Sequence, residues 1–194
     1  MPSSEVRHRT FIGIPVNRAL CEFFQQFQQQ QQQSPWYPQA RWVALPKLHV
    51  TLRFLGNITE SQLQQIKNGI SCLSTAPFKI QCSTPKPFPN VKRPRMLASF
   101  VHKNAELEQL ALWAETLALE TGLAGEKRPY LGHITVARLR HPVSDLQALI
   151  RNTDSCPLPV ERVVLYQSHH GNNPDIGKSL HTGYEALAEQ QLNA

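Results

Sequence analysis

Apolar and polar residues follow two periods along the chain, and where the period changes the predicted element changes with it. Residues Arg9 to Val16 alternate as a first strand, and Asn17 then stands as an N-cap for a helix carrying Leu20, Phe23, Phe24 and Phe27 at helical spacing. The glutamine run Gln28 to Gln33 reads as the solvated end of that helix, closed by Ser34-Pro35. Arg41-Trp42-Val43 is a short strand, and a longer alternating stretch begins at His49 and closes at Gly56. Thr59 and Gln62 form a capping box for a helix with Leu63, Ile66, Ile70 and Leu73 on one face. Phe78 to Cys82 and Arg95 to Val101 are predicted strands, with a proline-rich loop from Pro85 to Pro94 between them. An amphipathic helix runs from Asn104 to about Thr121, with Leu107, Leu110, Ala111, Ala114, Leu117 and Ala118 inward, Trp113 at its edge and Gly122 as its stop. A strand from His133, a short helix capped by Ser144 or Asp145 and running through Ile150, a strand over Val160 to Tyr166, a turn-rich segment from His169 to Gly177 and a last strand over Leu180 to Leu187 complete the chain.

Inside that pattern one four-residue phrase occurs twice: His49-Val50-Thr51-Leu52 and His133-Ile134-Thr135-Val136. With this composition about 0.07 copies are expected by chance, so a pair is roughly a one-in-several-hundred event. In each copy the aliphatic residues would face a core while imidazole and hydroxyl share the other face. A single copy reads equally well as an ordinary half-buried strand; the repetition gives each histidine a partner.

Composition narrows the setting without choosing a function. A length of 194 residues suffices for one sizeable domain or two small lobes without disulfides or metal. Cys21, Cys72, Cys82 and Cys156 are scattered and form no short-range ligand pair, so reduced thiols are expected. Neither a signal core nor a membrane-length apolar run occurs, so a soluble, cytoplasmic protein is expected. The formal charge of +6 favours an anionic partner, RNA and nucleotides among them.

Two histidines have a chemical use that a single one lacks. Imidazole titrates near neutral pH, so one can accept a proton while its partner donates one. Phosphoryl transfer requires attacking and leaving oxygens roughly in line, which suits histidines on opposite sides of phosphorus. Thr51 and Thr135, each two residues beyond its histidine and on the same strand face, can donate to non-bridging phosphate oxygens. Arg53 and Arg138 are nearby cations, and strict alternation puts Arg53 on the catalytic face and Arg138 on the opposite one unless a strand end or a bulge redirects it. Phe54 has the same parity problem, so it is expected in the core.

Trp42 to Gly56, with its trailing Phe-Leu-Gly, and Arg128-Pro129 to Arg138 resemble the two motifs of the 2H phosphoesterase superfamily, and within it the RNA 2′,3′-cyclic phosphodiesterases once named 2′-5′ RNA ligases. Phe11 to Pro15, Leu165 to Ser168 and the stretch around Tyr184-Glu185 are similar too, so the resemblance covers nearly the whole chain. It implies an α+β, bilobal fold with a pseudo-two-fold: two antiparallel sheets backed by helices around a central cleft, residues 1–194 forming one bilobal domain. It further implies metal-independent hydrolysis of RNA 2′,3′-cyclic phosphate ends to a 2′-phosphate, with no cofactor. His49 would be the proton donor to the leaving 3′ oxygen, His133 the proton acceptor from water, and Thr51, Thr135 and Arg138 would bind phosphate. The partner is an RNA or oligonucleotide with a cyclic phosphate end, and a monomer is expected. Gly132 stands where the family commonly has proline, implying a looser entry into the second motif strand.

Three other readings compete. The same groups run in reverse would make a 2′-5′ linkage. A non-catalytic RNA-binding protein would use the basic segments Lys86 to Arg95 and Lys127-Arg128 but has no special use for paired titratable groups. His169, His170 and His181 with Asp175 could be taken for a metal site in a binding module, although their spacing favours solvated loop residues.

Overall fold

A computed structural model of the chain describes residues 6–140, 143, 146–169 and 183–193. The predicted order of elements is largely present: β1 (Arg7–Pro15), α1 (Arg18–Gln30), β2 (Ala40–Trp42), β3 (His49–Thr59), α2 (Glu60–Ser71), β4 (Phe78–Ser83), β5 (Lys86–Phe88), β6 (Met96–Phe100), α3 (Ala105–Glu120), β7 (His133–Leu139), α4 (Gln147–Arg151), β8 (Ser155–Val160), β9 (Arg162–Ser168) and β10 (Tyr184–Gln191).

The helix starts follow from their caps. Asn17 accepts from the Leu20 amide and Asn104 from the Leu107 amide, while Thr59 and Gln62 form the reciprocal capping box. Besides shifts of one or two residues, such as β9 running Arg162–Ser168 where Val160 to Tyr166 is expected, four larger differences stand out. β3 continues past Gly56 to Thr59 because it stays paired with β1 as far as Arg7. Lys86–Phe88, inside the expected proline-rich loop, pairs with Met96–Ala98 as a sheet-edge strand, a place that tolerates proline. β8 carries Pro157 and Pro159, which mask its pattern, yet it pairs residue for residue with β4. β10 runs on to Gln191, beyond the expected end at Leu187. Ser144, Asp145 and Leu180 to Thr182 lie outside the described residues.

The strands form two four-stranded sheets, β10-β9-β1-β3 and β2-β7-β6-β5, and a two-stranded ribbon, β4-β8, in which all pairings are antiparallel. This is the expected α+β arrangement of two antiparallel sheets with helices, with the ribbon as an addition. One hydrophobic core joins the inward residues of both motif strands, Val50 and Leu52 on β3 and Ile134 and Val136 on β7, to Leu63, Ile66 and Ile70 of α2 and to the buried stripe of α3. Each fully buried aliphatic side chain contributes about 1.5–3 kcal/mol relative to exposure. The core therefore fixes which face of β3 and β7 can reach solvent. A second cluster, of Phe27, Trp36, Leu97, Ala137, Leu146 and Leu149, lies under β6 and β7. The four cysteines are free thiols, Cys82 being buried. Among the described residues no helix is long and apolar enough to cross a membrane.

Candidate active site

β3 and β7 bring the two repeats to one cavity of about 830 Å³, lined by His49, Thr51, His133, Thr135 and Arg138 among others. Neither strand alternates strictly. In the β1–β3 ladder Ile12 pairs with Arg53 and Gly13 with Thr51, leaving Leu52 as an extra residue. In the β6–β7 ladder Leu97 pairs with Ala137 and Ala98 with Thr135, leaving Val136 extra. Each bulge falls three residues after its histidine, and beyond it the inside–outside parity is inverted. On β7 both Val136 and Ala137 are buried, so Arg138 emerges exposed on the face of His133 and Thr135. The bulge that Arg138 requires is present.

The same device corrects two expectations on β3. Phe54, expected in the core, is 59% exposed and lines the cavity, because the extra residue at Leu52 turns it to the side of Thr51. Arg53, expected on the catalytic face, turns instead toward α3. It forms an ion pair with Glu115 and donates to the carbonyl oxygens of Phe54 and Ala124. Its charge is engaged in holding β3 to α3, and it does not line the main cavity.

The two imidazoles are held alike. Nδ1 of His49 lies 2.7 Å from the carbonyl oxygen of Lys47, and Nδ1 of His133 lies 2.8 Å from that of Leu131. A carbonyl only accepts, so in both rings Nδ1 carries the proton, and in the neutral form Nε2 keeps its lone pair. Their surroundings differ. His49 is stacked on Phe11 at 4.6 Å between ring centroids and meets Tyr184 edge-on at 5.2 Å, with Tyr166 at 6.1 Å. Among the described residues, the rings against His133 are the more distant Phe88 and Phe100, at 6.2 and 6.4 Å. Burial pushes His49 down to about 4, the bond to the Lys47 carbonyl opposing the shift and the nearby His133 adding to it.

Glycines pack tightly at both sites. A Cβ on Gly13 would lie 2.9 Å from the Val50 carbonyl oxygen and 3.5 Å from Cδ2 of His49. A Cβ on Gly132 would lie 3.0 Å from Leu107 Cδ2 and 3.2 Å from Val101 Cβ. Gly132 is buried and its carbonyl accepts from the Val101 amide, so the entry to β7 is close-packed where a looser one is expected from the missing proline.

The cavity is electropositive. Arg9, Arg41, Lys47 and Arg138 line it, and no carboxylate does among the described residues. Thr51 and Thr135 are half-buried and line the cavity, and the Thr135 hydroxyl donates to the Met96 sulfur at 3.6 Å. Beside it, sharing Thr51, Phe54 and His133, is a groove of about 420 Å³ with Leu112, Tyr130 and Leu131 on its walls and Glu108, Glu115 and Glu126 among its charged groups. Of the metal-site candidates, His169 reaches the cavity rim and pairs with Glu185 at 2.8 Å, while His170, Asp175 and His181 lie outside the described residues. Among the described residues no three His, Cys, Asp or Glu side chains converge. Sequence reasoning missed Arg9 and Arg41 in the cavity wall and the aromatic enclosure of His49. Their only sequence signal is a place on strands that pair with, or lie next to, the motif strands.

The profile of the family described as "LigT like Phosphoesterase" matches residues 13–98. The RNA 2′,3′-cyclic phosphodiesterase of Bacillus subtilis (strain 168) is 27% identical over 192 residues, covering 97% of this chain and 99% of its own. The enzyme of the same name from Aquifex aeolicus (strain VF5) is 28% identical over 136 residues, covering 68% of this chain and 71% of its own. Among solved structures, a protein of Thermus thermophilus, TT0787, superposes with a TM-score of 0.75 at 21% identity, over 95% of this chain and 97% of its own. E. coli LigT complexed with 3′-AMP superposes with a TM-score of 0.73 at 19% identity, over 97% and 99%. Residues 13–98 thus match the LigT-like phosphoesterase family, and the superpositions show that nearly the whole chain shares the fold of the solved LigT structures.

Proposed function

We propose that this phosphoesterase opens 2′,3′-cyclic phosphates at RNA ends with water, using His49 and His133 as its acid and base and no metal ion. The observation that carries this reading is the matched pair of imidazoles: both donate Nδ1–H to a carbonyl two residues back, and both line one cavity. Two Nε2 atoms are thereby left for proton transfer on a group seated between the strands. His133 takes a proton from water as its oxygen attacks phosphorus; the bond from phosphorus to the 3′ oxygen breaks, and His49 protonates that oxygen. Water and cyclic diester become a 2′-phosphomonoester and a 3′-hydroxyl.

The low affinity of His49 for a proton fits this cycle once charge is counted. Burial and the neighbouring His133 disfavour the imidazolium. A phosphodiester anion placed against Nε2 favours it, so substrate binding loads the acid. Thr51 and Thr135 hold the non-bridging oxygens, and Arg138, brought into the cavity by its bulge, offsets the charge that accumulates on them. The Bacillus subtilis relative, matched over nearly the full length, is named an RNA 2′,3′-cyclic phosphodiesterase, which supports RNA as the substrate class.

Product analysis tests the assignment. An oligoribonucleotide ending in a 2′,3′-cyclic phosphate is converted to the 2′-phosphate in the presence of a chelator. A 3′-phosphate product would exchange the leaving oxygen, and loss of turnover with the chelator would remove the metal-independent mechanism.

A further inference from the structure

Arg41 and Arg138 stand directly opposite each other in the β2–β7 ladder. Like charges in that relationship destabilise a sheet. Both side chains are exposed and line the cavity, and neither appears in an ion pair among the described residues. An edge strand whose arginine faces another arginine across the ladder, in a wall without carboxylates among the described residues, is a receptor for an anion.

That anion is distinct from the reacting one. The two histidines and two threonines already define a phosphate position between β3 and β7, whereas Arg41 lies one strand further out, on β2 at the sheet edge. The cleft is also polarised. Arg41, Arg138, Arg9 and Lys47 line one side with no carboxylate among the described residues, while in the groove beyond Phe54 Arg53 and Arg128 are paired with Glu115 and Glu126, and Glu108 stands beside them. A second phosphate is attracted more strongly to the side that carries cations and, among the described residues, no carboxylate.

We propose that Arg41 holds a second, non-reacting phosphate, the one on the 5′ side of the terminal nucleoside, with Arg138 standing between it and the reacting group and contacting both, so that the enzyme selects strand ends over free cyclic nucleosides. This rests on the reading that the reacting group is a 2′,3′-cyclic phosphate. Charge-assisted hydrogen bonds of this kind correspond to about a 10- to 100-fold gain in kcat/KM.

Three substrates separate the possibilities: adenosine 2′,3′-cyclic phosphate, its 5′-phosphorylated form, and a dinucleotide ending in the same cyclic phosphate. In the wild type the two phosphate-bearing substrates exceed the first by at least about tenfold in kcat/KM, mainly through KM. In Arg41→Ala that ratio falls below about threefold, and Arg41→Lys keeps an intermediate ratio. A 5′-phosphate that matches the dinucleotide identifies the phosphate alone as the recognised group, whereas an advantage confined to the dinucleotide identifies the bridging diester of a strand. A ratio unchanged in Arg41→Ala, or an equal loss on all three substrates, overturns the second phosphate site. If the wild type hydrolyses none of the three, the functional reading falls. The second site is then judged by binding of the corresponding 2′-phosphate products, where the same ratio in Kd must collapse in Arg41→Ala.

Discussion

Phe54 and Arg138 occupy equivalent places in the two repeats: each is the fifth residue after its histidine, and each reaches the cavity because a bulge at the third residue inverts the strand's parity. The duplication thus extends beyond the four-residue phrase to a backbone irregularity. It presents an aromatic ring from one strand and a cation from the other. The cleft is symmetric in its proton-transfer groups and asymmetric in what it offers the rest of a substrate.

Replacing either histidine by alanine is expected to lower turnover of a cyclic phosphate by at least about 100-fold. The two variants separate on an aryl phosphodiester, whose leaving group departs without a proton. His49→Ala recovers to within about tenfold of the wild type on that substrate, and His133→Ala does not. Recovery in the His133 variant instead would exchange the acid and base.

His49 also makes stability depend on pH. Its folded value of about 4 lies below the unfolded value of 6.5, so between the two the unfolded chain binds a proton that the folded chain does not. The His49 contribution is intact above pH 6.5, falls as pH drops toward 4, and changes no further below that. From pH 7 to pH 5 the loss amounts to about 2 kcal/mol. Denaturant titrations at the two values will show it in the wild type, and His49→Gln will lack this component. A phosphate ligand, by favouring the imidazolium, reduces the loss.

Arg53 and Glu115 form an ion pair at which the arginine side chain is 10% and the glutamate 24% exposed. Removing one partner leaves a largely enclosed charge, so Glu115→Ala is expected to destabilise the fold by about 3 kcal/mol. The double variant Arg53→Met, Glu115→Leu should regain most of that in urea unfolding. A double variant as unstable as the single one would show that the arginine's bonds to the Phe54 and Ala124 carbonyls, not its charge balance, hold this corner.

Much of this architecture can be read from residue order, because it depends on short-range chemistry. The caps at Asn17, Thr59 and Asn104 and the alternation around His49 and His133 need no tertiary information. Alternation fails at Leu52 and Val136, since a bulge is decided by pairing with β1 and β6 and leaves no mark on the residues themselves. Hence neither Phe54 nor Arg53 takes the face that alternation gives it: Phe54 turns to the cleft and Arg53 to its ion pair with Glu115 on α3. Arg138 can be placed from sequence only on condition of a bulge. Arg41 is invisible as a site residue because its significance lies in the residue across the ladder. β5 and β8 are hidden by prolines that an edge strand and a two-stranded ribbon accept.

Gly13 gives the most direct test of how precisely the first repeat must be held. The nearest atom to an added Cβ there is the Val50 carbonyl oxygen, at 2.9 Å, and Val50 sits between His49 and Thr51. Backbone cannot rotate away as a side chain can, so Gly13→Ala must displace β3 at the site itself. A misplacement of this kind is expected to lower kcat by about 10- to 100-fold. At Gly132 the nearest atom is a methyl of Leu107, at 3.0 Å, which belongs to a side chain of α3. Gly132→Ala therefore acts mainly on packing, destabilising by about 1–3 kcal/mol with a smaller effect on kcat. Measuring kcat and Tm for both variants separates the two mechanisms, and wild-type kcat in Gly13→Ala would show that the first repeat tolerates displacement.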